Sequence, residues 1–409
     1  MRAIVKLADI CTKVTDGTHD SPKLQLSGVP FIKAKHVSHG QVDVENCDFI
    51  THKDHLKVIS RSKPEFGDTL FVNIGASLGD CAFVPDIGEF SIKNVALFKP
   101  DPVLIDPKYL YYCVLSPQFR ASIKSKRSGS AQPFVGLDTL RKHELEIFTA
   151  PFIQKQIAGI LSAYDDLIAV NTRRIDALEE MARRTYEEWF ARTPQPDLEK
   201  VKFTEIAEIH RGKSYRSADL IESTQAVPLV NLKNIKAWGG FRIDGFKRFS
   251  GDAKPKHFVH EGDIVMAVTD MTQERRLVAQ SALIPKMTSE YAVFSMDLLK
   301  IIPANNTPKE FLYAFLRWSA FPRVMKEFAN GANVLHLSPK AIANYKLGLP
   351  PKEIQLSYSN FLAPRLTLMS NLETLNTNLR AQRDLLLPKL ISGEIDVSDT
   401  LLPTDEAAE

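Results

Sequence analysis

Two stretches of this chain carry apolar residues at alternating steps of four and three. Between Ile153 and about Phe190 the series runs Ile157, Leu161, Tyr164, Ile168, Asn171, Ile175, Leu178, Ala182, Thr185 and Trp189. A 3.5-residue period is the seam of a helix that lies along another helix. No proline and only one glycine, Gly159, interrupts it, and its outer positions carry Asp, Glu, Arg and Lys. At ~1.5 Å per residue the helix is about 50 Å long, and an apolar stripe of that length needs a partner. From about Ser357 to Ile391 a second leucine-rich series supplies one: Leu368, Leu372, Leu375, Leu379, Gln382, Leu386 and Leu390. Each series holds one polar position, Asn171 and Gln382, of the kind that fixes register at some cost in stability. Two core helices of unrelated domains would give the same patterns, so the choice falls to the rest of the chain.

The rest of the chain is one unit written twice. Val5-Lys6-Leu7 through Ile10 matches Val201-Lys202-Phe203 through Ile206, and Val29-Pro30-Phe31-Ile32 matches Val227-Pro228-Leu229-Val230. Gly67-Asp68 matches Gly262-Asp263, each before an apolar run, and Cys81-Ala82-Phe83-Val84-Pro85 matches Ser281-Ala282-Leu283-Ile284-Pro285. Pro107-Lys108 and Pro308-Lys309 each open a helix with proline in its first turn. Gln154 and Gln355 then begin the two long helices, at an offset that stays near 200 throughout. Short strands are expected at Val14, Phe31, Leu70-Phe71-Val72, Phe83-Val84 and Val95 to Phe98, and helices from Pro107 to Ser116 and from Phe311 to Trp318.

The predicted fold class is therefore mixed α/β (α+β): two tandem globular domains separated by two long helices that form an antiparallel coiled coil, with a pseudo-twofold internal repeat. The expected divisions are residues 1–150 and 201–352 for the globular domains, 151–192 and 353–393 for the helices, 193–200 for a Pro-broken linker, and 394–409 for an acidic, disordered tail. Antiparallel pairing would make the helices a ruler. Roughly 50 Å corresponds to about 15 base pairs at ~3.4 Å per step, so domains so spaced could touch grooves a turn or more apart.

Composition narrows the class. With 44% hydrophobic and 25% charged residues in 409, the chain reads as an ordinary soluble protein of two or three domains. No apolar run reaches the roughly 18 residues of a membrane span, and the opening MRAIVKLADI is not a secretory signal, so a cytoplasmic protein with no membrane partner is expected. Cys11, Cys47, Cys81 and Cys113 are widely spaced, which suggests neither a zinc site nor a disulfide framework. The net charge of +3 says little, but Lys124, Lys126 and Arg127 cluster, as do Lys254, Lys256 and His257, and Arg275 with Arg276.

Catalytic signatures are mostly missing: no GxxxxGK[ST], GxGxxG or HExxH occurs, and Gly75-Ala76-Ser77-Leu78-Gly79, the stretch nearest to a phosphate cradle, has the wrong spacing for one. His36 with His39, and His52 with His55, have metal-like spacing but no carboxylate or thiol partner, and read as solvated loop histidines. Asp165-Asp166 reads as the solvated face of the first long helix. The chain does place nucleic-acid-reading residue types in equivalent loops of both halves. Asp16, Gly17, Thr18 and His19 correspond to Arg211, Lys213, Tyr215 and Arg216, and Lys33 and Lys35 to Asn231, Lys233 and Asn234. The Gly75 loop corresponds to Thr269, Arg275 and Arg276, while Lys126, Arg127, Ser128, Gly129, Ser130 and Gln132 correspond to Asn333 and His336. Arg, Lys, Asn and Gln make bidentate bonds to base edges, although any single loop reads equally well as ordinary polar turn chemistry.

The Asp16-Gly17-Thr18-His19 loop, the Val29 and Val227 strands, Gly129-Ser130-Ala131-Gln132 leading to Gln154, and the two long helices together resemble the specificity subunit of Type I restriction-modification systems, over about residues 5 to 395. Leu335-His336-Leu337 and Pro364 depart from that pattern in the second half. The resemblance implies a non-catalytic DNA-recognition subunit whose globular domains each read one half of a split, asymmetric duplex target. It implies helices that set the spacer and dock two modification subunits, which are adenine methyltransferases, and the ATP-dependent restriction subunits. This chain would bind no cofactor, with S-adenosylmethionine and ATP/Mg on the partners. The alternatives are a DNA methyltransferase or nuclease acting by itself, and a coiled-coil adaptor that never touches DNA.

Overall fold

Two long helices dominate the computed structural model: Pro151–Tyr186, continued by a π-helical turn at Glu187–Ala191, and Lys352–Ser392. The structure describes residues 1–409 except 39, 129–132, 192–197, 224, 272–273 and 399–409. The expected linker prolines Pro194 and Pro196 and most of the expected acidic tail therefore lie outside the described residues. The second helix runs through Pro364 and Pro388, so the departure at Pro364 does not end it; each proline removes one backbone N–H from the ladder. The chain divides into two compact units, Met1–Ala169 with the chain from Thr377 onward, and Val170–Asn376. Each unit thus joins one globular domain to a part of each long helix.

In the first unit a ribbon pairs Arg2–Lys6 with Glu144–Phe148. An antiparallel sheet has the order Cys11–Asp16, Ala96–Pro100, Thr69–Phe71, Cys81–Phe83. A second sheet places Val29–Lys33 between antiparallel Asp48–Ile50 and parallel Ser91–Lys93. The helix Pro107–Leu115 starts where Asp106 accepts the Tyr109 N–H at 2.9 Å, with Pro107 in its first turn. Gln154 anchors the start of the long helix: its Oε1 accepts from Asp106 N at 2.8 Å and its Nε2 donates to Phe148 O at 2.7 Å. One hydrophobic cluster joins Leu7, Phe98 and Leu110 of the globular part to Ile157 and Leu161 of the first helix and Leu387 and Leu390 of the second.

The second unit repeats the plan. Its ribbon pairs Lys200–Lys202 with Lys346–Gly348, and its antiparallel sheet has the order Ala207–Arg211, Leu298–Pro303, Ile264–Ala267, Ser281–Leu283. Val227–Val230 again lies between an antiparallel neighbour, Lys247–Phe249, and a parallel one, Ala292–Phe294. Gln355 donates to Pro350 O at 2.7 Å. The helix Lys309–Trp318 buries Phe311 and Leu312 in a cluster with Ala182 and Tyr186 of the first long helix and Tyr358 and Leu362 of the second. Within this unit the helices run antiparallel: Asn171 Nδ2 donates to Asn376 Oδ1 at 2.9 Å, and Tyr358 donates to Ala182 O at 2.9 Å.

On the first long helix Ile157, Leu161, Ile168, Asn171 and Ile175 are buried, with Tyr164 and Leu178 half-buried. The second helix corrects the expected seam. Leu372 and Leu379 are buried and Leu386 is half-buried, but Leu368 and Leu375 are 47% and 42% exposed and Gln382 is exposed. The seam instead steps through Asn376, Arg383 and Leu387, each one residue beyond the expected position. Polar side chains occupy two of those places, so a stripe traced through leucines falls one residue short. Asp165, expected on a solvated face, accepts from Tyr112 and from Arg383. His36 and His55, expected in solvated loops, are 3% and 1% exposed; His36 Nδ1 accepts from Lys33 N at 3.0 Å, and His55 Nδ1 shares a hydrogen bond with Ser91 Oγ at 2.9 Å. Among the described residues no helix is long and apolar enough to cross a membrane.

Candidate nucleic-acid interface

The strand Cys11–Asp16 ends in a buried carboxylate. Asp16 pairs with Arg61 and lies 3.2 Å from His19 Nε2. The next residue must be glycine, because a Cβ on Gly17 would stand 2.2 Å from Ile92 O. Thr18 N then donates to Ile92 O at 3.0 Å, and His19 Nδ1 meets Asn94 Oδ1 at 2.8 Å. Asp16 and Gly17 therefore build the loop from inside, and the accessible side chain is His19, 63% exposed. It borders a cleft of about 490 Å³ that Lys57 and Arg61 also line. Lys53, Lys57 and Arg61 are all exposed at steps of four, a basic stripe legible in the sequence but outside the loops to which its nucleic-acid chemistry was assigned.

Beside this loop Lys33 pairs with Asp48 at 2.7 Å, and Lys35 lies 3.9 Å from the same carboxylate. The Lys33 hydrogen bond holds Asp48 below the usual carboxylate range. Lys126, Arg127 and Ser128 are exposed, and Lys126 Nζ lies 3.1 Å from Nδ1 of buried His143. Burial, and then the Lys126 charge, press His143 down to about 4. Gly129, Ser130 and Gln132 lie outside the described residues.

The second unit builds the corresponding loop by the same device. A Cβ on Gly212 would meet Ser295 O at 2.1 Å, and Lys213 N donates to Phe294 O at 2.8 Å. Arg211 and Arg216 are exposed; Tyr215 is half-buried under Lys247, which donates to its hydroxyl at 3.3 Å. Asn231 and Asn234 are corrected from base-readers to structural groups. Both are buried, Asn231 Nδ2 donates to Gly245 O at 3.0 Å and Asn234 Nδ2 to Arg242 O at 2.9 Å, so their amides are spent on backbone. Lys233 between them is exposed. Thr269 is likewise buried, in a strand pair opposite exposed His336. Arg275 donates to Lys326 O and Glu327 at 3.1 Å, and Arg276 pairs with Glu274 at 2.6 Å. Asn333 is exposed. Nothing in the sequence pattern marked Trp238, which is 63% exposed with Lys326 Nζ 4.2 Å from its ring centroid.

Each unit thus presents exposed Arg, Lys and His side chains in and beside loops that backbone hydrogen bonds hold, an arrangement suited to phosphates and base edges. Among the described residues no group of three or more His, Cys, Asp or Glu is placed to hold a metal. Burial pushes the thiols of Cys11, Cys81 and Cys113 up to about 12, far from a nucleophile's range.

Comparison with known proteins agrees with this duplication. The family described as Type I restriction modification DNA specificity domain matches residues 3–180 and again 196–379. The HindI specificity subunit of Haemophilus influenzae is 22% identical over 422 residues, covering 86% of this chain and 91% of that protein. The MjaIX specificity subunit of Methanocaldococcus jannaschii is 23% identical over 317 residues, covering 71% of this chain and 70% of that protein. The crystal structure of the Type-I restriction-modification system S subunit from M. genitalium superposes with a TM-score of 0.53 at 16% identity over 96% of both chains, which places the fold. With one family domain matched on each half and the same architecture over the whole length, the chain belongs to the DNA specificity subunits of Type I restriction-modification systems.

Proposed function

We propose that each globular unit reads one half of a split, asymmetric DNA sequence, and that the paired helices fix the unread spacer and dock the partner subunits. As a specificity subunit the chain is the non-catalytic, DNA-target-recognition component of a complex with modification and restriction subunits. S-adenosylmethionine and ATP/Mg then belong to those partners. The observation that carries the split-site reading is the duplicated sheet topology, with a glycine-pinned loop after the equivalent strand of each unit, at Gly17 and at Gly212.

Base contacts are assigned to His19, Arg127, Arg211, Arg216, Lys233 and His336, all exposed. The stripe Lys53, Lys57 and Arg61 suits phosphates, which position a protein without reading sequence. The test is DNA binding by the complex with its modification subunits across a salt series. Charge reversal at Arg211 and Lys233 is expected to weaken binding to the split site at least about tenfold. Charge reversal at Lys53 and Lys57 should instead lower the log–log salt slope by about 1 for each phosphate that is no longer neutralised. Unchanged binding would favour a non-DNA-binding adaptor, and methylation or cleavage by this chain alone would favour an enzyme.

A further inference from the structure

In each unit one buried tyrosine marks the junction between the globular domain and the long helices. Tyr112, on Pro107–Leu115, donates to Asp165 Oδ2 of the first long helix at 2.7 Å. The other Asp165 oxygen accepts from Arg383 of the second long helix, and Arg383 also donates to Asp384 at 2.8 Å. Tyr313 stands at the equivalent place on Lys309–Trp318, and its hydroxyl accepts from Arg317 at 2.7 Å while Arg317 also grips Glu179 of the first long helix. Tyr112 and Tyr313 are 2% and 5% exposed, and the side chains of Arg383 and Arg317 are 11% and 6% exposed. The wiring is inverted between units, yet each junction assembles one tyrosine, one arginine and one carboxylate.

Stability alone does not account for these groups. The arginines are taken out of water while Asp165 and Glu179 keep 29% and 33% of their side-chain surface exposed; burying a guanidinium costs about what its attraction to such a partly solvated carboxylate returns, and apolar residues of equal volume would hold the junction as well. The surrounding contacts, such as Ile157 and Leu161 against Leu387 and Leu390, are non-directional and tolerate small shifts. A planar guanidinium bonded on two sides does not. In the second unit the guanidinium also presses on a surface turn: a Cβ on Gly239 would stand 2.5 Å from Arg317 Nε. Trp238, Gly239 and Gly240 in that turn all have positive φ, and Trp238 N donates to Arg276 O at 3.3 Å. The Glu179–Arg317 pair therefore ties a long helix to exposed loops of the reading surface.

We infer that Tyr112–Asp165–Arg383 and Tyr313–Arg317–Glu179 are positioning clamps that hold each reading domain in one orientation on its helices and so keep the unread spacer at a single length. This rests on the split-site reading. Loosening a clamp relaxes the spacer and leaves base preference intact, because no clamp residue lies among the exposed loop side chains.

The experiment uses the full complex with its modification subunits and a DNA library whose spacer varies by single base pairs around the wild-type length. Adenine methylation is mapped for Tyr112→Phe, Asp165→Asn, Tyr313→Phe and Glu179→Gln, with Ile157→Val, a truncation in the same hydrophobic cluster, as a packing control; melting is measured alongside. The clamp variants are expected to raise methylation on the neighbouring spacer relative to the cognate one by about tenfold, a change of ~1.4 kcal/mol, with both half-sites unchanged. Ile157→Val lowers the melting temperature without that broadening. Wild-type spacer ratios in every clamp variant, equal broadening by Ile157→Val, or altered half-site bases would overturn the clamp. A wild-type complex without a preferred spacer overturns the split-site reading, and the clamp with it.

Discussion

His143 shows how burial, and then a neighbouring charge, set a residue's titration. His143 is 3% exposed, with the Lys126 ammonium 3.1 Å from its Nδ1, and is held neutral down to about 4 against an ordinary value of 6.5. A histidine whose folded pKa is depressed binds fewer protons folded than unfolded, so its contribution is complete above about 6.5 and is lost as pH falls from there toward 4. Denaturant unfolding at a series of pH values is expected to show this acid-side loss, and His143→Gln to flatten that part of the curve. The sequence placed Lys126 in a basic cluster but carried no sign of its contact with His143, 17 residues further along the chain. The same limit explains Asn231 and Asn234. Their type and spacing suit adenine recognition, but the backbone carbonyls of Gly245 and Arg242 claim them, and no one-dimensional pattern reveals that.

At the scale of the element, the helix pair is ordered by its polar contacts as much as by its leucines. Asn171 and Asn376 are 1% and 3% exposed and hydrogen-bonded to each other. Asn171→Leu alone is expected to cost about 1–3 kcal/mol, because it removes the N–H that the buried Asn376 Oδ1 accepts, while Asn376 Nδ2 keeps Thr172 Oγ1 at 3.4 Å. Adding Asn376→Leu should recover most of that loss, giving a favourable coupling energy in a double-mutant cycle measured by denaturant unfolding. Additive losses would show that the two amides act independently. The first helix was readable because Ile157, Leu161, Ile168 and Ile175 mark its seam. The second was misread by one residue because Asn376 and Arg383 sit where leucines were sought.

For the molecule as a whole, the split-site reading makes helix length a functional quantity. Four residues inserted near Arg174, about one turn or ~5.4 Å, are expected to lengthen the unread spacer by about one or two base pairs at ~3.4 Å each. Methylation mapping with spacer-varied DNA checks this, and an unshifted spacer would show that the helices do not measure distance.

The sequence by itself determined the duplication, the two long helices and the strand positions, because periodicity and the order of short motifs are properties of the chain. Two glycines were legible as loop residues, but the carbonyls of Ile92 and Ser295 that demand them were not. Only the tertiary structure decided which polar side chains face solvent and which are spent inside. A hydrogen bond such as Tyr112 to Asp165 joins residues 53 apart in the chain, and Asn171 to Asn376 joins residues 205 apart. Burial is set by what packs against a residue, and the chain alone does not carry that information.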